Sequence, residues 1–164
     1  MLTSVEELPV AKSARRNPFL LQGEVLIVSG DPGFLEYYRE IFLGMGLRPL
    51  TMSTYHRALA RLQTETFEFI VVDQGSRSFE GRCILERARE LDERARVLVV
   101  TRQLDLPCYV TAMRLGAIGY VEDPVAIPEI VRIITTSLRP AGPRVQPTTG
   151  KVGAFFPDNQ PRTT

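Results

Sequence analysis

The sequence predicts a doubly wound α/β domain over about residues 23–139. Three observations carry this. Strand-like and helix-like segments alternate five times. The cores Val25–Val28, Phe69–Val72 and Val97–Val100 are unbroken apolar runs, as required of parallel strands covered on both faces. Each core then ends in a polar residue or a turn, which places those residues on one carboxyl-terminal rim, where such sheets bind ligands.

The elements follow in order. After strand 25–28, Asp31-Pro32 is a helix-start signal, with Asp as cap and Pro in the first turn. Phe34, Tyr38, Ile41, Phe42 and Met45 fall at helical spacing, and Gly44 and Gly46 end that helix. Leu47–Met52 reads as an edge strand, because Pro49 is tolerated only where one neighbour is missing. Ser53 or Thr54 caps a second helix carrying Ala58, Leu59 and Leu62. Strand 69–72 leads into Asp73 and a polar loop, Gln74 to Glu80, closed by Gly81.

A third helical stretch over 82–96 carries Ile84, Leu85, Ala88 and Leu91 among many Arg and Glu, with Arg89 and Glu93 as a favourable i,i+4 pair. Strand 97–100 runs into Thr101. Pro107 opens a fourth helix that ends at Leu115-Gly116. Strand 118–121 leads through Asp123-Pro124 to a last helix with Ile127, Ile130, Val131, Ile134 and Leu138. Residues 1–22 form a mixed polar leader. Residues 140–164 are a Pro/Gly-rich tail or linker whose one apolar anchor is Phe155-Phe156.

Composition excludes several classes. The chain has 164 residues, 44% hydrophobic and 24% charged, with a formal net charge of +1. That is ordinary for one globular domain, and it gives no bulk attraction to nucleic acid or anionic membrane. Trp is absent, so a base-stacking platform is not expected. The two cysteines, Cys83 and Cys108, are expected to be reduced and buried or half-buried, fitting a cytoplasmic protein. The single histidine, His56, excludes a multi-histidine metal site and lies away from the rim. No apolar run approaches the roughly 20 residues of a membrane span. The apolar residues after Lys12, Arg15 and Arg16 are cut by Gln22 and Glu24, unlike a signal peptide.

With VLIVSGDP, GLRPLTMSTYHRALARL, FIVVD followed by Gly81, VLVVT and AMRLGAIGYVEDPV in this order, the chain resembles the receiver domain of two-component response regulators over about 115 residues. The resemblance implies the CheY-like, flavodoxin-like sheet of five parallel strands in order 2-1-3-4-5. It implies a phosphoacceptor position at Asp73, a phosphoryl-contacting and switch position at Thr101, and a switch aromatic at Tyr120. The family's Mg²⁺-binding acidic pair falls on Ser29 and Gly30, with Asp31 one position beyond, and its phosphoryl-pairing lysine falls on Asp123.

These departures matter. Mg²⁺ prefers hard, charged oxygen ligands in an octahedron; Ser29 offers a neutral hydroxyl and Gly30 no side chain. A phosphoryl group brings about −1.5 to −2 charges. Against Asp123 at about 6 Å and an effective dielectric near 20, the repulsion is on the order of 4–5 kcal/mol, or three decades in equilibrium.

Each residue also has a plainer reading. Asp73 is either a working carboxylate or a cap for its loop. Thr101 is either a loop hydrogen-bonding residue or a switch, and Tyr120 is either a half-buried aromatic or its partner. Asp31 reads as the N-cap of the first helix, and Asp123 as an acceptor of local loop hydrogen bonds. Two other arrangements stay open: a cation held by Asp31, Asp73 and Asp123, or Arg77 or Arg102 swinging in to neutralise the acids.

The expectation is therefore a receiver-like signalling domain, not an enzyme and without a cofactor, that works as a phosphorylation-independent interaction module. The alternative is a genuine phosphoacceptor, using Mg²⁺ and phosphorylated on Asp73 by a histidine kinase. The resemblance implies output through the face of helix 4, strand 5 and helix 5. There Tyr109, Met113, Arg114, Ile118 and Val125 are expected to meet a protein partner or a second copy.

Overall fold

The computed structural model describes residues 21–138. Residues 1–20 of the expected leader and all of the expected tail from 140 fall outside the described residues. Five strands and five helices alternate: β1 (Glu24–Val28), α1 (Pro32–Gly44), β2 (Arg48–Met52), α2 (Tyr55–Leu62), β3 (Phe69–Asp73), α3 (Arg82–Leu91), β4 (Val97–Thr101), α4 (Leu106–Arg114), β5 (Gly119–Glu122) and α5 (Ile127–Leu138). The sheet is parallel throughout, in the order β2-β1-β3-β4-β5.

Alternation along the strands divides the core in two. Leu26, Val28, Ile70, Val72, Val97 and Val99 pack against α2, α3 and α4 through Leu62, Leu85, Ala88 and Ala112. Val25, Ile27, Phe69, Val71, Leu98 and Val100 pack against α1 and α5 through Phe34, Phe42, Ile130 and Ile134. The central strands are buried on both faces, which is why their sequences are continuously apolar. Full burial of one such side chain is worth about 1.5–3 kcal/mol.

The start signals work as expected. The Asp31 carboxylate caps α1 by accepting from the Gly33 N–H at 2.8 Å, and Thr54 caps α2 by accepting from the Arg57 N–H. A third cap is Asp105, whose carboxylate accepts from the Cys108 N–H at 3.0 Å at the start of α4. Pro49 lies in β2, which pairs only with β1. Cys108 is buried and Cys83 half-buried; both are free thiols.

Two details of α3 differ from expectation. The helix ends at Leu91 rather than near 96, because Asp92 turns extended. Leu91 therefore stands 48% exposed instead of joining the buried face of Ile84, Leu85 and Ala88. The ion pairs on this helix are Arg82 with Glu86 and Arg87 with Glu90; Arg89 instead donates to the main-chain carbonyl of Glu93.

Candidate functional site

The strand register sets the rim. Val28 pairs with Val72, so Ser29 and Asp73 leave the sheet side by side. Asp73 faces Val100 and Thr101 faces Glu122 across the next two pairs. The four strand ends thus share one edge, as the sequence predicts.

At its β1–β3 end, the Ser29 hydroxyl is fully buried and donates to Oδ2 of Asp73 at 2.7 Å. Ser29 also accepts from the Asp31 N–H at 3.0 Å. The second Asp73 oxygen, Oδ1, accepts from the Gly75 N–H at 3.0 Å, and Gly75 is held at φ +83°, a left-handed conformation that favours glycine. The Asp73 carbonyl accepts from Tyr55 Oη at 3.0 Å. Gly81 is constrained as well: a Cβ there would collide with that same carbonyl oxygen. Both carboxylate oxygens of Asp73 therefore have neutral donors within the protein.

Around them is an open crevice lined by Gly30, Asp31, Tyr55, Asp73, Glu80 and Arg102 among others. Asp31 pairs with Arg102 across it. This is one of the two arginines considered from the sequence; Arg77 lies in the neighbouring loop. Glu80 accepts from the Ser76 hydroxyl and the Ser76 N–H, both at 2.6 Å, and the hydroxyl bond is the main cause holding its carboxyl below the usual range. Burial, followed by the charge of Asp73, pushes the Tyr55 phenol upward. Among the described residues no three of His, Cys, Asp or Glu converge on one point, so the arrangement of Asp31, Asp73 and Asp123 around a cation does not form.

Asp123 is placed differently from expectation. Its Oδ1 accepts from Tyr38 Oη, 85 positions away on α1, at 2.9 Å; the contact is tertiary, not local to its loop. Burial is the main cause that raises the Tyr38 phenol, with the hydrogen bond to Asp123 next. The Asp123 N–H donates to the Thr101 carbonyl at 2.7 Å, which ties the start of the β5–α5 turn to the end of β4.

At the β4–β5 end, Thr101 is buried and its hydroxyl donates to the Gln103 carbonyl at 2.8 Å, the expected loop bond, while it also lies close enough to the Tyr120 hydroxyl to act on that phenol. Tyr120 is 9% exposed. Its hydroxyl donates to Oε1 of Gln74 and accepts from the Asp105 N–H at 3.3 Å. Gln74 is 2% exposed, and its amide nitrogen donates to the Ser76 carbonyl at 3.0 Å. Outside this network, Tyr109 packs edge-on against Tyr120, with ring centroids 5.8 Å apart.

Tyr38, Gln74 and Asp105 were not singled out as rim residues from the sequence. Tyr38 carried a usable signal, since a tyrosine on a buried helical face needs a partner for its hydroxyl; Gln74 carried none beyond its place after Asp73.

Of the five residues expected on the partner surface, three are exposed. Tyr109 and Met113 are 44% and 40% exposed, and Arg114 is exposed. Ile118 is half-buried against the α1/α5 core. Val125 is 4% exposed, so it is a core residue and not a surface one. Its carbonyl accepts from Tyr37 Oη at 2.7 Å, which draws the turn inward. Leu104 and Leu106, at 58% and 72% exposed, add apolar surface beside the three exposed residues.

Comparison with known proteins agrees with this architecture. The family model for the response regulator receiver domain matches residues 25–135. The chain is 24% identical over 117 residues to the DNA-binding transcriptional regulator NtrC of Salmonella typhimurium, covering 71% of this chain and 25% of that one. It is 25% identical over 111 residues to sporulation initiation phosphotransferase F of Bacillus subtilis, covering 68% of this chain and 90% of that one. Among solved structures, a CheY-like receiver domain protein from Methanospirillum hungatei superposes with a TM-score of 0.65 at 25% identity, covering 71% of this chain and 93% of that one. The chain thus spans about a quarter of the NtrC it matches. No described helix is long and apolar enough to cross a membrane. The chain belongs to the response regulator receiver domain family, the signalling modules of two-component systems.

Proposed function

We propose that this receiver domain acts in the cytoplasm as a phosphorylation-independent protein-binding module, without a cofactor and without nucleic-acid binding of its own. The observation that carries this is the hydrogen bond from Ser29 to Asp73. It sits where the family has a metal-binding acid, and it engages the carboxylate oxygen with a neutral, buried hydroxyl.

The surrounding charge supports the reading. Phosphoryl transfer depends on metal ions and fixed cations to stabilise charge on the transferred group. The named crevice residues include three acids, Asp31, Asp73 and Glu80, and one cation, Arg102, which is already paired with Asp31. Gly30 supplies no side chain, and Asp123 holds the family lysine's position while bound to Tyr38. The family's two metal-binding positions are thus left without a charged oxygen, and among the described residues no three acids converge to replace them.

The binding surface proposed is the α4–β5–α5 face, centred on Tyr109, Met113 and Arg114, with Leu106 in place of Val125. Exposed aromatic, Met and Arg side chains are what protein interfaces enrich, and the partner is another protein or a second copy. Tyr109→Ala or Arg114→Ala is expected to weaken that association about tenfold with the melting temperature unchanged. Association at wild-type strength in both variants would remove this face from the proposal.

The second reading, a phosphoacceptor at Asp73, is favoured by one feature: Asp73 is half-exposed and lines an open crevice. Incubation with acetyl phosphate and Mg²⁺ followed by intact mass separates the two. The proposal expects unmodified protein. A stoichiometric phosphoryl adduct lost on Asp73→Asn would establish the second reading instead.

A further inference from the structure

At the end of the domain opposite the rim, the last turn of α3 leaves Leu91 48% exposed beside a shallow apolar groove. Leu62 at the end of α2, Phe67, Ala88 and Ala95 line it with Leu91, and Glu65 and Asp92 stand at its edge. The groove does not end there. Phe67, Asp92 and Ala95 also line a wider hollow that reaches Glu24, Arg48 and Arg96 at the amino-terminal ends of the strands. Arg96 Nε donates to the Ser137 carbonyl at 3.2 Å, in the last turn of α5. The chain therefore leaves α5 at the mouth of a hollow that leads into the apolar groove.

We propose that this groove is the docking site for Phe155-Phe156 of the same chain. Three observations select this occupant. The exit of α5 is continuous with the groove, as just described. Sixteen residues separate Leu138 from Phe155, a reach of up to about 55–60 Å, ample to cross the underside of a domain this size. Residues 139–164 carry Arg139, Arg144, Lys151 and Arg162 against the single acid Asp158, opposite in sign to the groove and hollow, whose lining has four acids (Glu24, Glu65, Glu68 and Asp92) against three arginines (Arg48, Arg94 and Arg96). A tether of this kind sets an effective concentration near the mM range, so contact between two phenylalanine rings and the groove needs only weak intrinsic affinity. The inference does not depend on whether Asp73 accepts a phosphoryl group.

NMR of the isotope-labelled full chain tests it. The expected result is a set of NOEs from the Phe155 and Phe156 rings to the methyls of Leu62, Leu91 and Ala95. Leu91→Asp, at a half-exposed position, should abolish them while the rest of the spectrum is retained. The double variant Phe155→Ser/Phe156→Ser should shift amides near residues 62–67 and 88–95 and leave the rim unmoved. Three outcomes would each overturn the proposal: no such NOEs in the wild type, NOEs to Leu106 and Met113 on α4 instead, or NOEs that an isotope-filtered mixture shows to be between molecules.

Discussion

The positions along the rim match the receiver family's pattern unequally. At the β4–β5 half, Thr101 and Tyr120 match the family pattern. Elsewhere the match is mixed: Asp73 at the end of β3 fits the pattern, whereas Ser29 and Gly30 after β1 and Asp123 after β5 do not. Burial accounts for part of the contrast, since Ser29 departs from the pattern although it is fully buried. Thr101, Tyr120 and Gln74 are buried and satisfy one another or nearby backbone, so losing any one of them strands a buried polar atom at about 1–3 kcal/mol. Gly30 is exposed and Asp123 half-exposed, where water can take over a lost contact. A matching Thr–Tyr pair is therefore no sign of phosphotransfer by itself: packing alone is reason enough to hold it.

The contrast is broken most completely by rebuilding the departing positions. Ser29→Asp, Gly30→Asp and Asp123→Lys together should create Mg²⁺ binding and a phosphoryl adduct on Asp73, read by intact mass. Reversing the charge at position 123 alone removes a repulsion on the order of 4–5 kcal/mol. If the triple variant folds and still gives no adduct, some other feature of the pocket blocks the chemistry.

Next in size, Tyr120→Phe leaves Gln74 Oε1 and the Asp105 N–H without their partner. A loss of about 2 kcal/mol in chemical denaturation is expected. A change below about 0.5 kcal/mol would mean the buried network is not what retains the tyrosine. Tyr38→Phe should cost less, about 1–1.5 kcal/mol, because Asp123 is half-exposed and can be rehydrated. The order of these two variants is the sharper test, since it opposes a buried partner to a half-exposed one. Smallest is Arg102→Ala. Its pair with Asp31 leaves the two side chains 68% and 38% exposed, so the loss should stay within about 0.5 kcal/mol and vanish in high salt.

How much of this was legible in the sequence follows the same division. The strand cores at 25–28, 69–72 and 97–100 were readable because burial on both faces leaves no polar break. The Asp31-Pro32 start was readable because capping is local chemistry. Leu91 misled because it is the last residue of α3: Asp92 turns extended, and no further helical turn follows to carry the buried face on. Val125 misled because the residue after a proline turn looks exposed until Tyr37 is seen to hold its carbonyl. Asp123 was expected to bond locally, and its partner is a phenol on α1 that no local pattern indicates. The sequence placed Ser29 and Asp73 at neighbouring strand ends, but only the fold brings the hydroxyl to 2.7 Å from the carboxylate.

The central claim is that the Asp73 carboxylate is already partnered by neutral donors and lies where a dianionic group is not stabilised. Titration of the full chain with beryllium fluoride and Mg²⁺, followed by ¹⁹F NMR, measures this directly. Only free fluoride species, with the Ser29 and Gly75 amides unshifted, are predicted. A slowly exchanging bound beryllofluoride signal that requires Mg²⁺ and disappears in Asp73→Asn would contradict it.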